Sequence, residues 1–342
     1  MTTREGDDSA AAPAAAPPGG LDKALVVFAR LPVPGRVKTR LAAGLGADAA
    51  CTWYRACAHH AIEQAACCSG WADVSVYHSS ADDTADVEAW LQGEGLLVPC
   101  RPQLGASAAA GAAPPDLGAK MRAAMHESQQ RLVAATATAA GAAVAAASSQ
   151  AAEGIAAQRE QPREQQSEQE PAGTLGQSAG PHNEDGNQPP TEPGLRRTKV
   201  IITGTDIPDV SQHLFAAAAG ALDTYDMVIG PSADGGYYML GLTAVAEQLF
   251  EGMPWSTEVV CSETLARAAA AGLRVAPLET LPRLRDVDTV EDLAEWVAGC
   301  SSAGAGEAPA GPAEGALNPE WTPRKLSLLE MSRGILASAG KQ

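Results

Sequence analysis

Basic side chains gather in one short stretch of a chain that is otherwise strongly acidic. Arg30, Lys38 and Arg40 all follow the apolar run 24–29. Gly35 lets a ligand approach the backbone closely, and the free amides of the helix expected after this loop favour an anion. Lysine and arginine add charge and hydrogen-bond donors. The stretch therefore predicts a phosphate site, and the alternative is a solvated loop with incidental basic residues.

Carboxylates form a second group of residues that could do chemistry. Asp206 follows an apolar strand, while Asp286 and Asp288 alternate along an extended segment and so point to one face. Carboxylate oxygens bind hard divalent cations, which bridge phosphate oxygens and offset the charge on a leaving group. The three aspartates predict a Mg²⁺ or Mn²⁺ site, although helix capping also explains the acidic turn after Asp288. Asp209 is more simply a helix N-cap.

A glycine-rich turn between Gly230 and Tyr238 carries another acidic residue. Gly235 and Gly236 permit a turn in which backbone amides approach a substrate. Asp234 is placed to be a second acidic ligand or the acceptor of a bond from a substrate hydroxyl. The Tyr237 ring packs either on a base or sugar or in the core. A plain Asp-Gly hairpin is the structural alternative for this turn.

Two further segments have helix capping as their structural alternative. Trp255, Ser256 and Thr257 precede a predicted helix, so that Ser256 or Thr257 would be its N-cap and Trp255 would anchor the loop. Asp116 is placed in the same way before a helix that starts at Leu117.

The whole set of motifs, in this order, resembles the glycosyltransferase A-like family of the nucleotide-diphospho-sugar transferase superfamily. This family is also labelled transferase 1, rSAM/selenodomain-associated, or DUF2064. Its most specific match is the Gly-Pro-x-x-Asp-Gly-Gly-Tyr pattern of the glycine-rich turn. The segment 286–293 also resembles the closing motif of nucleotidyltransferases that guanylylate phospholactate or the molybdenum cofactor. Residues 115–121 resemble the family segment Gly-Asp-Leu-Gly-Glu-Arg-Met, with Ala119 where an acid is expected and Lys120 in place of arginine.

The resemblance implies a role for each matching residue. It implies catalysis at Asp206 and Asp234; nucleotide or phosphate binding at Arg30, Gly35, Lys38, Arg40, Gly204 and Thr205; substrate binding at Asp116, Lys120, Gly235, Gly236, Tyr237, Trp255, Ser256 and Thr257; and Mg²⁺ or Mn²⁺ at Asp206, Asp286 and Asp288. The implied reaction is glycosyl transfer from a nucleoside-diphosphate sugar to a small acceptor. The alternatives are nucleotidyl transfer from a nucleoside triphosphate, with release of pyrophosphate, and a catalytically silent nucleotide-binding protein.

The elements that must position these residues alternate between strand and helix. Strands are predicted at 24–29, 73–79, 199–203, 227–230, 237–242 and 274–278, with helices between them, including one from Leu117 to Leu132 and one from Thr289 to Val297. Such alternation predicts an α/β fold with a single doubly wound, mostly parallel sheet. Ligands bind such sheets outside the carboxyl ends of the strands, where the motifs lie.

Composition sets the domain boundaries. Residues 1–20 and 134–198 have almost no aromatic or branched apolar side chains, which predicts a disordered tail and a disordered insert. One transferase-like domain is expected over 21–300 around this insert, followed by a linker and a short docking helix in 301–342.

The net charge limits the kinds of partner to expect, and the cysteine spacing indicates the cellular compartment. The formal charge of −17 argues against nucleic acid, and no stretch has the length and apolarity of a membrane span. Seven cysteines without a paired spacing predict free thiols and a cytoplasmic protein. The expected partners are a nucleotide sugar or nucleoside triphosphate and a small acceptor.

Overall fold

The computed structural model describes residues 21–105, 114–159, 198–303 and 322–340. The chain divides into two units, one formed by residues 1–136 with 197–342 and the other by residues 137–196. The first unit holds the sheet and all the site residues named above. Of the second unit, only a helical stretch that ends at Arg159 is described.

Six strands form one sheet in the first unit. They are β1 (Lys23–Ala29), β2 (Asp73–His78), β3 (Cys100–Pro102), β4 (Lys199–Thr203), β5 (Met227–Pro231) and β6 (Tyr237–Leu242). Their order is β3-β2-β1-β4-β6-β5, in which β6 is antiparallel to both of its neighbours and the remaining pairs are parallel. The predicted α/β fold with one mostly parallel sheet is confirmed.

Helices connect the strands on both faces of the sheet. They are α1 (Thr39–Leu45), α2 (Ala47–Ala66), α3 (Thr84–Gly93), α4 (Leu117–Arg159), α5 (Gln212–Ala221), α6 (Val260–Ala270), α7 (Val290–Ala303) and α8 (Pro323–Ala339). None of the helices in the described ranges is long and apolar enough to cross a membrane. The seven cysteines are all free, as predicted.

Alternate residues of β1 enter two different hydrophobic cores. Leu25 and Val27 pack in a cluster with Phe215 of α5, whereas Val26 packs on the other face with Met125 of α4. Side chains alternate across a strand, so a strand buried on both faces must be apolar throughout. Each such side chain stabilises the fold by about 1.5–3 kcal/mol relative to an exposed one.

A third core lies where α8 packs against α1, α2 and α7. Leu328 and Leu329 of α8 are buried there, and the buried Trp53 indole donates a hydrogen bond to Ser332 Oγ at 3.1 Å. Thr322 caps α8 by accepting a bond from the Lys325 backbone N–H. The C-terminal segment thus packs on the domain as one helix.

A buried ion pair joins α8 to the loop that carries Asp206. Lys325 Nζ lies 2.6 Å from Asp209 Oδ1, and the lysine side chain is 2% exposed. The Trp296 indole of α7 donates to the other oxygen of Asp209 at 3.0 Å. The preferred interpretation of Asp209 as a helix N-cap is therefore wrong, because α5 begins after Ser211 and the carboxylate turns toward α7 and α8. Breaking such a pair costs about 3–5 kcal/mol, so it holds this loop firmly.

Two predictions about elements are corrected. The strand predicted at 274–278 is absent, because Val275 forms only an isolated bridge with Met227 and Pro277 cannot donate a ladder hydrogen bond. The helix predicted to end at Leu132 continues as α4, because alanine has the highest helix propensity. Residues 134–159, which composition assigns to the disordered insert, are thus helical. The predicted tail 1–20, the rest of the insert at 160–197 and the linker at 304–321 lie outside the described residues.

Candidate functional site

One cleft of about 850 Å³ lies at the carboxyl ends of β1 and β4, beside the start of the antiparallel β6. The predicted site residues that line it are Arg30, Lys38, Arg40, Lys120, Gly204, Thr205, Asp206, Asp234, Gly236, Tyr237, Trp255, Ser256, Thr257, Asp286 and Asp288. Gly35, Asp116 and Gly235 lie outside this lining. Motifs far apart in sequence therefore meet at the sheet edge where open α/β proteins bind ligands.

Lys38 joins two of the carboxylates in this cleft. Its Nζ lies 3.0 Å from Asp206 Oδ2 and 2.7 Å from Asp288 Oδ1, and its side chain is only 6% exposed. The two acidic segments also contact each other, since the Val287 backbone N–H donates to the Asp206 carbonyl at 3.2 Å. The basic loop, defined as residues 30–40 and so including the first two residues of α1, and the segments that carry Asp206 and Asp288 are thereby fixed together at one end of the cleft.

These contacts and burial shift the pKa values of the charged groups. Burial alone would lower the pKa of Lys38, but Asp206 and Asp288 raise it above its ordinary value. Burial alone would raise the pKa of Asp206, but the Lys38 ammonium holds it below its ordinary value. Burial raises the pKa of Asp286 to about 6, and repulsion from Asp234, Asp206 and Asp288 adds to this. The Lys38–Asp206 pair stays ionised at neutral pH, while Asp286 takes up a proton more readily than an ordinary aspartate.

Two arginines, Arg30 after β1 and Arg40 in the first turn of α1, are exposed and line the cleft. The Arg40 side chain is 71% exposed and makes a long contact, 3.5 Å, with Asp288 Oδ2. Arg30 is exposed, and its backbone N–H donates to the Tyr54 hydroxyl at 2.9 Å. Arg40 also borders a pocket of about 160 Å³ beside the cleft, with Arg285 on its wall. Both Arg30 and Arg40 are positioned to bind an anion.

Gly35 serves the shape of the basic loop. It has a φ of 76°, in a turn where the Arg36 backbone N–H donates to the Val33 carbonyl at 3.0 Å. The Arg36 guanidinium bonds Asp82 Oδ1 at 2.8 Å and ties the loop to the segment after β2. The sequence predicted that Gly35 lets a ligand approach, whereas the structure places it at this turn, outside the cleft lining.

The Asp234 turn combines the hairpin with a cleft position. The Ser232 backbone N–H donates to the Gly236 carbonyl at 3.1 Å, which closes the turn, as the structural alternative predicted. Asp234 Oδ1 accepts bonds from the Ser232 hydroxyl and, at 3.0 Å, from the Gly236 backbone N–H. Its side chain nevertheless lines the cleft, so the carboxylate is both oriented and accessible.

Ser256 and Thr257 lie in a loop before α6. Neither caps that helix, because α6 begins at Val260 and the Thr257 hydroxyl donates instead to the Pro254 carbonyl at 2.7 Å. The N-cap alternative for these two residues is therefore wrong. The Trp255 ring, which anchors the loop, packs so closely on Gly118 of α4 that a Cβ there would lie 2.6 Å from the ring.

Asp116 caps α4 and does not line the cleft. Its Oδ1 accepts a hydrogen bond from the Ala119 backbone N–H at 2.8 Å. The structural alternative for Asp116 is thus confirmed. Lys120, one turn further along α4, does line the cleft.

Backbone strain marks two sides of this cleft. Lys38, with φ 45°, and Ser256, with φ 63°, are the non-glycine residues with positive φ in the described ranges, and both line the cleft. Side chains rarely adopt this region without support from their surroundings, and such residues cluster at functional sites. The strain supports the cleft as the functional site of the protein.

Tyr54 is a cleft residue that the sequence did not indicate. Its buried hydroxyl lies 3.1 Å from Thr205 Oγ1 and accepts a bond from the Arg30 backbone N–H. Burial raises its pKa to about 12, so the phenol stays neutral and joins the ends of β1 and β4. Gln103 and Glu258 were missed as well. A tyrosine on the apolar face of a helix carries no local signal of such a position.

The predicted metal ligands do not fit a divalent cation as they are arranged. Within the described residues, no group of three His, Cys, Asp or Glu side chains is placed to hold a metal ion. The space between Asp206 and Asp288 is spanned by the Lys38 ammonium. The Mg²⁺ or Mn²⁺ requirement stays a prediction of the sequence.

Comparisons with known proteins bear on the fold and on the family resemblance. The structure is similar to the crystal structure of a candidate nucleotide-diphospho-sugar transferase from Desulfovibrio desulfuricans G20, with a TM-score of 0.57, 22% identity, and coverage of 93% of this chain and 98% of that one. The fold is therefore that of this transferase class. Residues 132–257 match the family described as uncharacterized protein conserved in bacteria (DUF2064). Together these findings confirm the resemblance drawn from the motifs. The search of curated proteins found no match.

Proposed function

We propose that this protein is a transferase that binds a nucleotide-activated substrate in the cleft and passes its glycosyl group to a small acceptor. The observation that carries the proposal is the meeting of Lys38, Arg30 and Arg40 with Asp206 and Asp234 around one cleft at the carboxyl ends of the strands. The donor is a nucleoside-diphosphate sugar, whose diphosphate is the anion that the basic side chains bind.

The transfer step needs charge stabilisation more than covalent chemistry. The acceptor hydroxyl oxygen forms a bond to the anomeric carbon, and the bond from that carbon to the diphosphate breaks. Lys38 and Arg40 offset the negative charge that develops on the departing diphosphate. Asp234 accepts the hydroxyl proton, because one of its oxygens is held by Ser232 and Gly236 while its side chain lines the cleft.

Nucleotidyl transfer is the second candidate function. It is favoured by the concentration of basic groups, since Arg30, Lys38, Arg40 and Lys120 all line the cleft and a triphosphate carries more charge than a diphosphate. Here a phosphorylated metabolite attacks the α-phosphorus, and pyrophosphate leaves. A catalytically silent nucleotide-binding protein is the third candidate.

The products separate these functions. The full chain is incubated with each nucleotide sugar and each nucleoside triphosphate, with and without Mg²⁺, across a panel of small acceptors. Acceptor-dependent release of nucleoside diphosphate supports glycosyl transfer, whereas release of pyrophosphate would replace it with nucleotidyl transfer. Tight nucleotide binding in a thermal-shift screen without either product would indicate the silent protein.

A pair of matched variants ties the activity to this cleft. Asp234→Asn should lower kcat by about 100-fold or more, the range of a lost general base, while nucleotide binding persists. Asp86→Asn removes an exposed carboxylate of α3 that does not line the cleft, and it should retain wild-type activity. Equal activities of the two variants would contradict the role of Asp234.

A further inference from the structure

The cation between Asp206 and Asp288 is a lysine ammonium that belongs to the chain. Lys38 Nζ lies at hydrogen-bond distance from both carboxylates, and its side chain is almost fully buried. Mg²⁺ binds carboxylate oxygens at about 2.0–2.1 Å and needs further ligands around it. The ammonium fills the position between the two oxygens, so a metal ion can enter there only if Lys38 leaves.

The backbone at Lys38 has a conformation that needs support from its surroundings. Lys38 has φ 45° and ψ 49° and immediately precedes α1. Glycine adopts these angles easily, whereas a lysine keeps them only when its surroundings hold it. The two carboxylates provide that hold, since they come from separate segments, after β4 and before α7, and converge on one ammonium.

The same ammonium can contact a ligand. A lysine ammonium has three N–H donors, and the contacts with Asp206 and Asp288 use two of them. Lys38 lines the cleft, where Arg40 and Arg30 are exposed nearby on the same loop. A phosphate oxygen at this point would accept a hydrogen bond from the third N–H and would be attracted by the positive charge of both arginines.

We propose that Lys38 is the resident cation of the site, that it occupies the place of a divalent metal ion between Asp206 and Asp288, and that phosphate binds beside it without such an ion. The inference deepens the proposed function and rests on it only for the identity of the phosphate ligand. It is also the opposite of the Mg²⁺ or Mn²⁺ requirement expected from the sequence, so one set of titrations decides between them.

The first test measures binding of Mn²⁺ alone by electron paramagnetic resonance of the free ion. Wild type should bind Mn²⁺ at least tenfold more weakly than Lys38→Met, because the substitution frees two carboxylates and opens the space between them. Lys38→Gly should give the same gain and suits the positive φ, which guards against misfolding of the methionine variant. Combining Lys38→Met with Asp288→Asn should abolish the gain.

Lys120→Met is the matched control for the first test. It removes one positive charge from the same cleft and raises the overall negative charge equally, but it should leave Mn²⁺ affinity within twofold of wild type. Tight Mn²⁺ binding by wild type, or no gain in either Lys38 variant, would overturn the proposal. Neither readout depends on transferase activity, so its failure is distinguishable from failure of the proposed function.

The second test measures binding of inorganic phosphate by calorimetry. The wild-type affinity should be the same within threefold in excess chelator and in excess Mg²⁺, and Lys38→Met should weaken it at least tenfold. A tenfold or larger gain on adding Mg²⁺ would show that the phosphate site requires the metal, and the proposal would fail.

Discussion

At the scale of single residues, substitution of Arg40 should affect ligand binding without affecting the stability of the fold. Its side chain is largely exposed, contacts Asp288 only at 3.5 Å and lines the cleft. We expect Arg40→Ala to weaken binding of the preferred nucleotide about tenfold, or about 1.4 kcal/mol, because a charge-assisted hydrogen bond is lost. Calorimetric titration with the nucleotide selected by a thermal-shift screen measures this loss.

Arg36→Ala is the control for the Arg40 variant. Arg36 lies in the same loop, but its guanidinium bonds Asp82 and does not line the cleft. Its removal should leave nucleotide affinity nearly unchanged. Equal losses in the two variants would mean that the loop binds no phosphate through Arg40.

Gly235 tests how tightly the Asp234 turn is docked. Its φ is 89°, and an added Cβ would collide with the backbone of Glu258. Gly252 also has a positive φ, 60°, but a Cβ there meets no atom within 4 Å. Gly235→Ala should therefore cost at least about 1–2 kcal/mol more than Gly252→Ala in urea unfolding, because backbone strain is common to both and the collision is not. Equal costs would show that the turn can move away from the loop before α6.

At the scale of elements, the packing of α2 against neighbouring loops makes stability depend on pH. His60 is 1% exposed, and its Nε2 lies 3.0 Å from the Val210 carbonyl. Burial lowers its pKa to about 4, and the Lys325 ammonium of α8 also disfavours a second charge. The unfolded chain therefore binds a proton to this residue near pH 6.5, which the folded chain resists until about pH 4.

The sign of this effect follows from proton linkage. The contribution of His60 is fully present above pH 6.5 and is lost as the pH falls toward 4, by about 3 kcal/mol in total. Between pH 7.5 and pH 4, the free energy of unfolding should fall by about 3 kcal/mol less in His60→Gln than in wild type, as measured by urea unfolding. His126 is a histidine of α4 outside the core. The stability of His126→Gln should therefore show the same pH dependence as wild type. Identical pH dependence in all three proteins would contradict a buried neutral His60.

The same element scale explains how a distant helix supports the cleft. Helix α8 contacts α1, α2 and α7, and its Lys325 pairs with Asp209 in the loop that carries Asp206. Asp206, which lines the cleft, and Asp209, which does not, thus lie three residues apart and have different roles. One lines the ligand site, while the other fixes the backbone between β4 and α5.

At the scale of the whole molecule, the unit formed by residues 137–196 is the part whose removal should cost least. Its sequence is rich in Ala, Gln, Glu and Gly and offers few large apolar side chains for a core of its own. Replacing 137–196 by a short Gly-Ser linker should change the melting temperature by less than about 3 °C, because loop-closure entropy varies slowly with length. Scanning calorimetry measures the shift, and a fall of 10 °C would show that this unit stabilises the sheet.

Much of the fold could be predicted because its signals are local. The strands at 199–203 and 237–242 are mainly apolar runs bounded by polar or glycine-rich turns, and the structure places them at those bounds. The Asp116 cap and the docking of the C-terminal helix were also readable from the residues around them. Predictions were wrong where composition misled, as in the alanine-rich extension of α4.

By itself, the sequence determined the alternation of elements and therefore that the basic loop, Asp206 and the glycine-rich turn come to one edge of a sheet. Parallel strands bring their carboxyl ends together, so order along the chain suffices for that. Only the tertiary structure decided which atoms meet there. Lys38 contacts Asp206 and Asp288 across 168 and 250 residues of sequence. Tyr54 of α2 contacts Thr205 in the cleft, and Asp209 pairs with Lys325 of α8 instead of lining the cleft. Such contacts depend on side-chain direction after packing, which a local pattern of residues does not encode.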